Sequence, residues 1–283
     1  MSDAALDLRP FPYAGALRAE LAERNRAYAA KHKIPVCESI GRPPVLCYAP
    51  SEDGKAHGNF LAESYRAILK SDNWKQRLAK VHTVARQSLP RNGYRWRELD
   101  SSNSSDALLM NIFCCPTMLR DKRMRSLLGV ADDARPRFGV RARVPLANGR
   151  FDRTEIDMQI GGLLVEAKLT EADFQSKGRE VVEAYRDFHD VFDSDALPHD
   201  DGTYLSYQLI RNVLAAFAGN CSFCVMLDAR RPDLQEAWFA VMRAIRDFDL
   251  RLRCKMLTWQ ELAAMVPLKL KKFLAEKYGV GIA

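Results

Sequence analysis

No apolar run in this 283-residue chain approaches the roughly 18 to 20 residues that a helix needs to cross a bilayer, so no membrane span is expected. Low-complexity tracts and repeats at solenoid periods are also missing, which excludes linker-like and array architectures. The opening "MSDAALDLRP" lacks the basic-then-apolar order of a secretory signal, and a cytoplasmic protein is expected. Seven cysteines, an odd number without framework spacing, fit reduced thiols rather than a disulfide scaffold. Cys221 and Cys224 form a CxxC, but inside "CSFCVMLD", which reads as a buried strand. Residues three apart on a strand point to opposite faces, and no second Cys or His pair accompanies them, so core cysteines are favoured over a zinc or redox site. The five histidines show neither metal-ligand spacing nor a paired nucleophile, and no GxxxxGK[ST] phosphate cradle is present.

Hydrophobic residues make up 47% of the chain and charged residues 28%, a globular balance with enough length for one large domain or a core plus an appendage. The net charge is +7, and its distribution is uneven. Residues 1–150 carry 26 Lys and Arg against 15 Asp and Glu, while the remainder carries 17 against 21. A polyanion would be drawn to the first half. There "WKQRLAKVHTVARQSLPRNGYRWRE" sets Lys75, Arg77, Lys80, Arg86, Arg91, Arg95 and Arg97 among Trp74, Tyr94 and Trp96. That composition suits a phosphate-contacting surface with stacking platforms, and equally the solvated face of an amphipathic helix.

Periodicity divides the chain into a helical, basic region over 1–99 and an α/β core over 100–283. "YAGALRAELAERNRAYAAKHK" and "GNFLAESYRAILKSDNWKQRLAKVHTVARQ" have helical spacing, separated by a Pro- and Gly-rich connection with a short strand near Val45 to Tyr48. "DSSNSSDALLMNIF" offers a helix cap at Ser104 or Ser105. From Arg137 the period becomes two: "RFGVRARVPL" alternates Phe138, Val140, Ala142 and Val144 with basic residues, a half-buried strand. A hairpin over 155–168, a long polar helix near 174–192, an apolar helix at "YLSYQLIRNVLAAFA", a buried strand at "SFCVMLDA", a helix from Pro232, the strand "RLRCKML" and a capping box at Thr258 and Glu261 complete the pattern.

The hairpin "EIDMQIGGLLVEAK" carries more charge than a surface hairpin needs. With Gly161 and Gly162 as a two-residue turn, Asp157 faces Glu166 and Glu155 faces Lys168, all on one side. Ile156, Met158, Ile160, Leu163, Val165 and Ala167 form an apolar reverse side. Opposed carboxylates repel by about 0.2 to 1 kcal/mol when exposed and by more when partly buried. A divalent cation would relieve this, because Mg²⁺ takes oxygen ligands and is commonly held by one or two carboxylates with water and phosphate. Asp157 and Glu166 are the expected ligands, and Lys168 is placed to hold a water or meet charge growing on a phosphate. Metal-assisted phosphodiester hydrolysis is the chemistry these groups fit. The plainer alternative is a hairpin with a solvated face.

An acid late in one strand, a short turn and Glu-x-Lys in the next strand after "LLV" resemble the PD-(D/E)xK nuclease superfamily. "YQLIRNVLAA" and "SSDALLMNIF" resemble a bacterial branch of restriction-endonuclease-like proteins, a likeness covering roughly 100–260. The Pro of the motif's first pair is replaced by Ile156. The resemblance implies a restriction-endonuclease-like mixed central sheet flanked by helices, a Mg²⁺ cofactor with Mn²⁺ as a substitute, and DNA as partner. It implies Asp157, Glu166 and Lys168 as the signature triad and a further acidic or amide residue toward the metal from the preceding helix, with Asp106 and Asn111 as candidates and Glu98 just before it; Asp106 is taken as the metal ligand and Asn111 as a nucleic-acid contact. By similarity to nucleases with a glutamine-bearing helix, Gln208 joins the catalytic set and Arg211 the nucleic-acid contacts; from the basic composition of the first region, Arg91, Arg95 and Arg97 are expected to grip the backbone. The rival functions are a nucleic-acid-binding protein on this fold with little or no cleavage, and an α/β protein whose hairpin charge is structural. Substrate form and oligomeric state, a homodimer included, are left open by the sequence.

Overall fold

The alternation that begins at Pro136 builds the edge of a sheet, and the unbroken apolar runs further along build its interior. The computed structural model describes residues 12–39, 43–81, 89–91 and 94–281, with backbone alone for 89–91 and 94–95. Five strands make the central sheet: β1 (Pro136–Arg141), β2 (Glu155–Ile160), β3 (Leu163–Ala167), β4 (Ser222–Leu227) and β5 (Cys254–Thr258). Their order is β5-β4-β3-β2-β1. β1, β2 and β3 run antiparallel in succession, whereas β4 is parallel to both β3 and β5. Tight turns serve the first arrangement, but parallel neighbours need crossovers. The relevant helices are α1 (Pro12–His32), α2 (Ala62–Leu69), α3 (Asp72–Arg77), α4 (Ser105–Phe113), α5 (Tyr207–Ala218), α6 (Pro232–Ala244) and α7 (Leu268–Tyr278). α5 lies between β3 and β4 in the chain, and α6 between β4 and β5.

Strands covered on both faces read as continuous apolar runs. β3 and β4 do so, and alternate residues feed two cores. Val165, Cys224 and Met226 pack with Leu17 and Leu21 of α1, Leu108 and Ile112 of α4, and Leu270 and Leu274 of α7. Leu164, Phe223 and Val225 pack with Leu209 and Val213 of α5 and Trp238 and Val241 of α6. Residues from either side of position 100 therefore share the first core. The result is a mixed sheet flanked by helices, as expected. Cys221 and Cys224 are free thiols, and Cys224 is a buried core residue.

Local signals held where side chains close them. Ser104 caps α4 by accepting the Ala107 N–H at 3.2 Å, and Thr258 and Glu261 cap each other's backbone at 3.1 and 2.7 Å. The long helix expected near 174–192 is absent. Short helices Arg179–Glu183 and Phe188–Val191 replace it, next to a small sheet of Lys177–Gly178, His199–Asp200 and Thr203–Tyr204. Buried Val182, Tyr185, Phe188 and Val191 recur every three residues rather than every 3.6, and Arg186 N–H donates to the Pro145 carbonyl at 3.0 Å, so the backbone leaves the helical ladder. The helix expected across "GNFLAESYRAILKSDNWKQRLAKVHTVARQ" is split into α2 and α3, with Lys70 and Ser71 between them, and its last part, 82–87, lies outside the described residues.

Candidate active site

The β2–β3 ladder pairs Met158 with Val165, Gln159 with Leu164 and Ile160 with Leu163, the expected register. Gly161, the first turn residue, has φ +55°, a conformation that costs glycine little. One step further, that register sets Asp157 opposite Glu166, and there a side chain replaces the ladder acceptor: Asp157 Oδ2 accepts the Ala167 N–H at 2.9 Å. In β1, Gly139 has φ +63°, and a Cβ there would lie 2.4 Å from Arg77 Nη1. Only glycine leaves room for that guanidinium. The regular pleat is lost at this point, and Ile156 leaves the expected apolar set to pack in the second core with Leu164.

Glu166 is 3% exposed and Lys168 5%. Lys168 Nζ lies 2.9 Å from Glu166 Oε1 and donates to Gln208 Oε1 at 2.7 Å. Asn212 Nδ2 donates to Glu166 Oε2 at 2.8 Å. Positions 208 and 212 lie on one helical face, so α5 delivers an amide to each member of the Glu–Lys pair. Burial works against the charge of Lys168, but Glu166, Glu171 and Asp157 outweigh it and hold its pKa above the ordinary range. An ammonium has three donors, and two of them are engaged here. Trp259 Nε1 donates to the Lys168 carbonyl at 2.8 Å and fixes the backbone.

A second group of charges abuts this one. Arg77 Nη2 donates to Asp106 Oδ1 and Oδ2 at 2.9 and 3.0 Å, Nη1 donates to Glu155 Oε1 at 2.6 Å, and Nη2 is 3.9 Å from Asp157 Oδ1. Lys80 Nζ donates to Asp106 at 2.6 Å and lies 2.9 Å from Glu98 and 3.5 Å from Glu155. Glu155 thus pairs with Arg77 rather than with Lys168 as the bare hairpin suggested, because α3 and the turn after it bring stronger partners. Asp106 joins the cluster with its two oxygens already committed to cations. Burial would raise its pKa, but Lys80 and Arg77 hold it down at about 2. Burial and then the Asp106 charge push Glu98 up to about 7. Burial, Glu166 and Asp106 raise Asp157 well above the carboxylate range.

Among the described residues, no three His, Cys, Asp or Glu side chains form a ready-made metal cage. The donor set nevertheless suits a hard divalent cation. Asp157, Glu166, Asp106, Glu155 and Glu98 place five carboxyl groups against Arg77, Lys80 and Lys168, an excess of two negative charges when all are ionised. Oxygen donors with two charges unmatched are what Mg²⁺ satisfies, with water or phosphate completing its shell.

The other expected nucleic-acid contacts fare differently. Asn111 is fully buried, with its amide bound to the backbone of Leu61, Asn59 and Ala107 at 2.7, 3.0 and 2.8 Å, so it ties a loop to α4 and reaches no solvent. Arg211 is also buried, donating to the Glu155 carbonyl at 3.1 Å and to Asn212 at 2.9 Å; it orients the site from below. Arg97 is exposed, and the side chains of Arg91 and Arg95 lie outside the described residues. Trp74 donates to the Pro136 carbonyl at 2.8 Å and Trp96 is buried, so neither is a stacking platform. Asn212 was legible only as a neighbour of Gln208 and Arg211; the i, i+4 spacing from Gln208 marks it. Arg77 and Lys80 carried no sign that they would turn inward.

A family described as "Restriction Endonuclease associating with ARP" (REase-ARP) matches residues 17–279. The chain belongs to this family. No curated protein and no solved structure matches it. The REase-ARP match takes in α1, the whole central sheet and every residue of the charged cluster, and the fold is restriction-endonuclease-like. Among the described residues no helix is long and apolar enough to cross a membrane.

Proposed function

We propose that this protein is a Mg²⁺-dependent deoxyribonuclease, an endonuclease that hydrolyses DNA phosphodiester bonds at Asp157, Glu166 and Lys168. The observation that carries the reading is the contact of Lys168 Nζ with Glu166 Oε1 at 2.9 Å beside Asp157, whose pKa burial and the Glu166 and Asp106 charges raise. Asp157 and Glu166 would hold the metal. When bound, Mg²⁺ or Mn²⁺ polarises a phosphoryl oxygen and makes the attacking water more acidic. Lys168 stays protonated beside Glu166, so its remaining N–H orients the water or meets charge developing on the phosphate rather than abstracting a proton. Gln208 holds Lys168 and Asn212 holds Glu166, which fixes both without help from substrate. Glu166 and Lys168 are covered, while the Asp157 and Glu155 side chains are 18% and 38% exposed, so a nucleic acid approaches from the β1–β2 edge.

Binding without cleavage is a second reading, favoured by the commitment of Asp106 to Arg77 and Lys80. One assay separates the two. Purified protein is incubated with supercoiled plasmid, linear duplex and single-stranded DNA in Mg²⁺, Mn²⁺ or EDTA, alongside Lys168→Ala. Metal-dependent cleavage lost in the variant supports hydrolysis here; cleavage unchanged in the variant rejects it.

A further inference from the structure

β1 is one of the two edge strands of the central sheet, and arginines occupy the exposed positions in and around it. Phe138 packs against the first core and Ala142 and Val144 against the second, while Arg135, Arg137, Arg141 and Arg143 are exposed. The hairpin of Val144–Pro145 and Phe151–Asp152 follows, and it adds exposed Arg150 and Arg153. Among the described residues none of these six arginines forms an ion pair. Arg143 instead lies over the ring of half-exposed Phe151, 4.2 Å from its centroid. The nearby acids are mostly engaged: Glu155 with Arg77 at 2.6 Å, Asp152 with the Thr154 N–H at 2.7 Å and the Tyr185 hydroxyl at 2.5 Å, and Asp132 with Arg125 at 2.7 Å. Asp133 alone of the neighbouring acids is exposed without such a partner.

Six uncompensated guanidinium groups repel one another and add nothing to the core. Charge on an edge strand does discourage pairing with other chains, yet lysine does that as well, and this ridge is arginine throughout. A planar guanidinium matches phosphate with two parallel hydrogen bonds. The register places Arg141 opposite Glu155, two residues from Asp157, the more open of the two proposed metal ligands. We infer that the Arg135–Arg153 ridge is the surface on which a DNA backbone lies, feeding a phosphodiester toward Asp157. This rests on the proposed hydrolytic site but is tested apart from it.

Binding of a fluorescein-labelled duplex is followed by polarisation in EDTA across a salt series, so that no cleavage intervenes. Arg141→Gln/Arg143→Gln should weaken binding at least tenfold at about 100 mM salt and lower the log–log salt slope by about two. Its melting temperature should match the unaltered protein, and Lys272→Gln on α7 should change neither affinity nor slope. Unaltered protein that binds DNA with the same affinity and slope as the arginine variant overturns the ridge while leaving the hydrolytic site untouched. Reduced binding in the variant, with no cleavage by the unaltered protein in Mg²⁺ or Mn²⁺, upholds the ridge and rejects hydrolysis. A variant that self-associates but binds DNA normally assigns the arginines to edge protection and overturns the inference.

Discussion

Arg77 and Asp106 meet through a shared nitrogen, Nη2, which donates to both carboxylate oxygens at 2.9 and 3.0 Å while lying 3.9 Å from Asp157. A cation from the last third of the helical region is thereby built into the acidic cluster of the sheet. It neutralises Asp106, while Glu166 is paired with Lys168 and Asp157 is left without a close cation.

Removing that cation should be costly. Arg77→Met leaves Asp106 and Glu155 with Lys80 alone, and losing one member of a buried pair costs about 3 to 5 kcal/mol. Urea unfolding of Arg77→Met, Asp106→Asn and the double variant checks this; the double variant should recover part of the loss, whereas additive losses would deny the coupling.

Asn212→Leu tests the support of Glu166. Its Nδ2 donor at 2.8 Å is lost from a buried carboxylate, which should destabilise the protein by about 1 to 3 kcal/mol. Cleavage should fall with it, and unaltered stability would show that Glu166 has found another donor.

Lys168→Met should lower kcat for DNA cleavage by roughly 100- to 1,000-fold, the scale of losing one donor to developing charge. Duplex affinity in EDTA should be unchanged, because Lys168 is covered and the expected backbone contacts lie on the β1 edge. Equal losses in kcat and affinity would make Lys168 a ground-state contact.

Metal linkage isolates Asp157. In EDTA, Asp157→Asn should raise the melting temperature by relieving repulsion with Glu166 and Asp106. Mg²⁺ should stabilise the unaltered protein in proportion to RT ln(1 + [Mg²⁺]/Kd) and leave the variant unmoved. The same metal shift in both proteins would place the ion elsewhere.

Glu98 predicts a pH dependence. Its pKa is raised from 4.5 to about 7 by burial and Asp106, so the folded state holds a proton that the unfolded chain releases. Stability of the metal-free protein should therefore fall as pH rises from about 4.5 through 7. Glu98→Gln should flatten that limb in thermal melts, while the fall below pH 4 remains, since Asp106 must be protonated there against its two cations.

How much of this the chain announces depends on how local each cause is. Residues 155–168 disclose their own register, because a Gly-Gly turn between alternating runs allows one pairing that buries the apolar side. Ser104, Thr258 and Glu261 are legible as caps for the same reason. Residues 174–192 misled because their polar residues look helical while their buried positions repeat every three, and only the neighbouring Pro145 and Tyr204 reveal the interruption. Arg77, Lys80, Trp74 and Trp96 looked like a binding surface; their partners, Asp106, Glu155 and Pro136, lie up to 78 positions away.

By itself, then, the sequence determined the strand periods, the turn at Gly161 and the convergence of Asp157, Glu166 and Lys168 on one hairpin, since these follow from backbone geometry over a few residues, while Gln208 was indicated only by resemblance. Tertiary structure alone decided which cations face those acids, sending Arg77 and Lys80 inward and leaving the arginines of β1 outside. Charge on a chain has no direction until packing assigns it a dielectric and a partner.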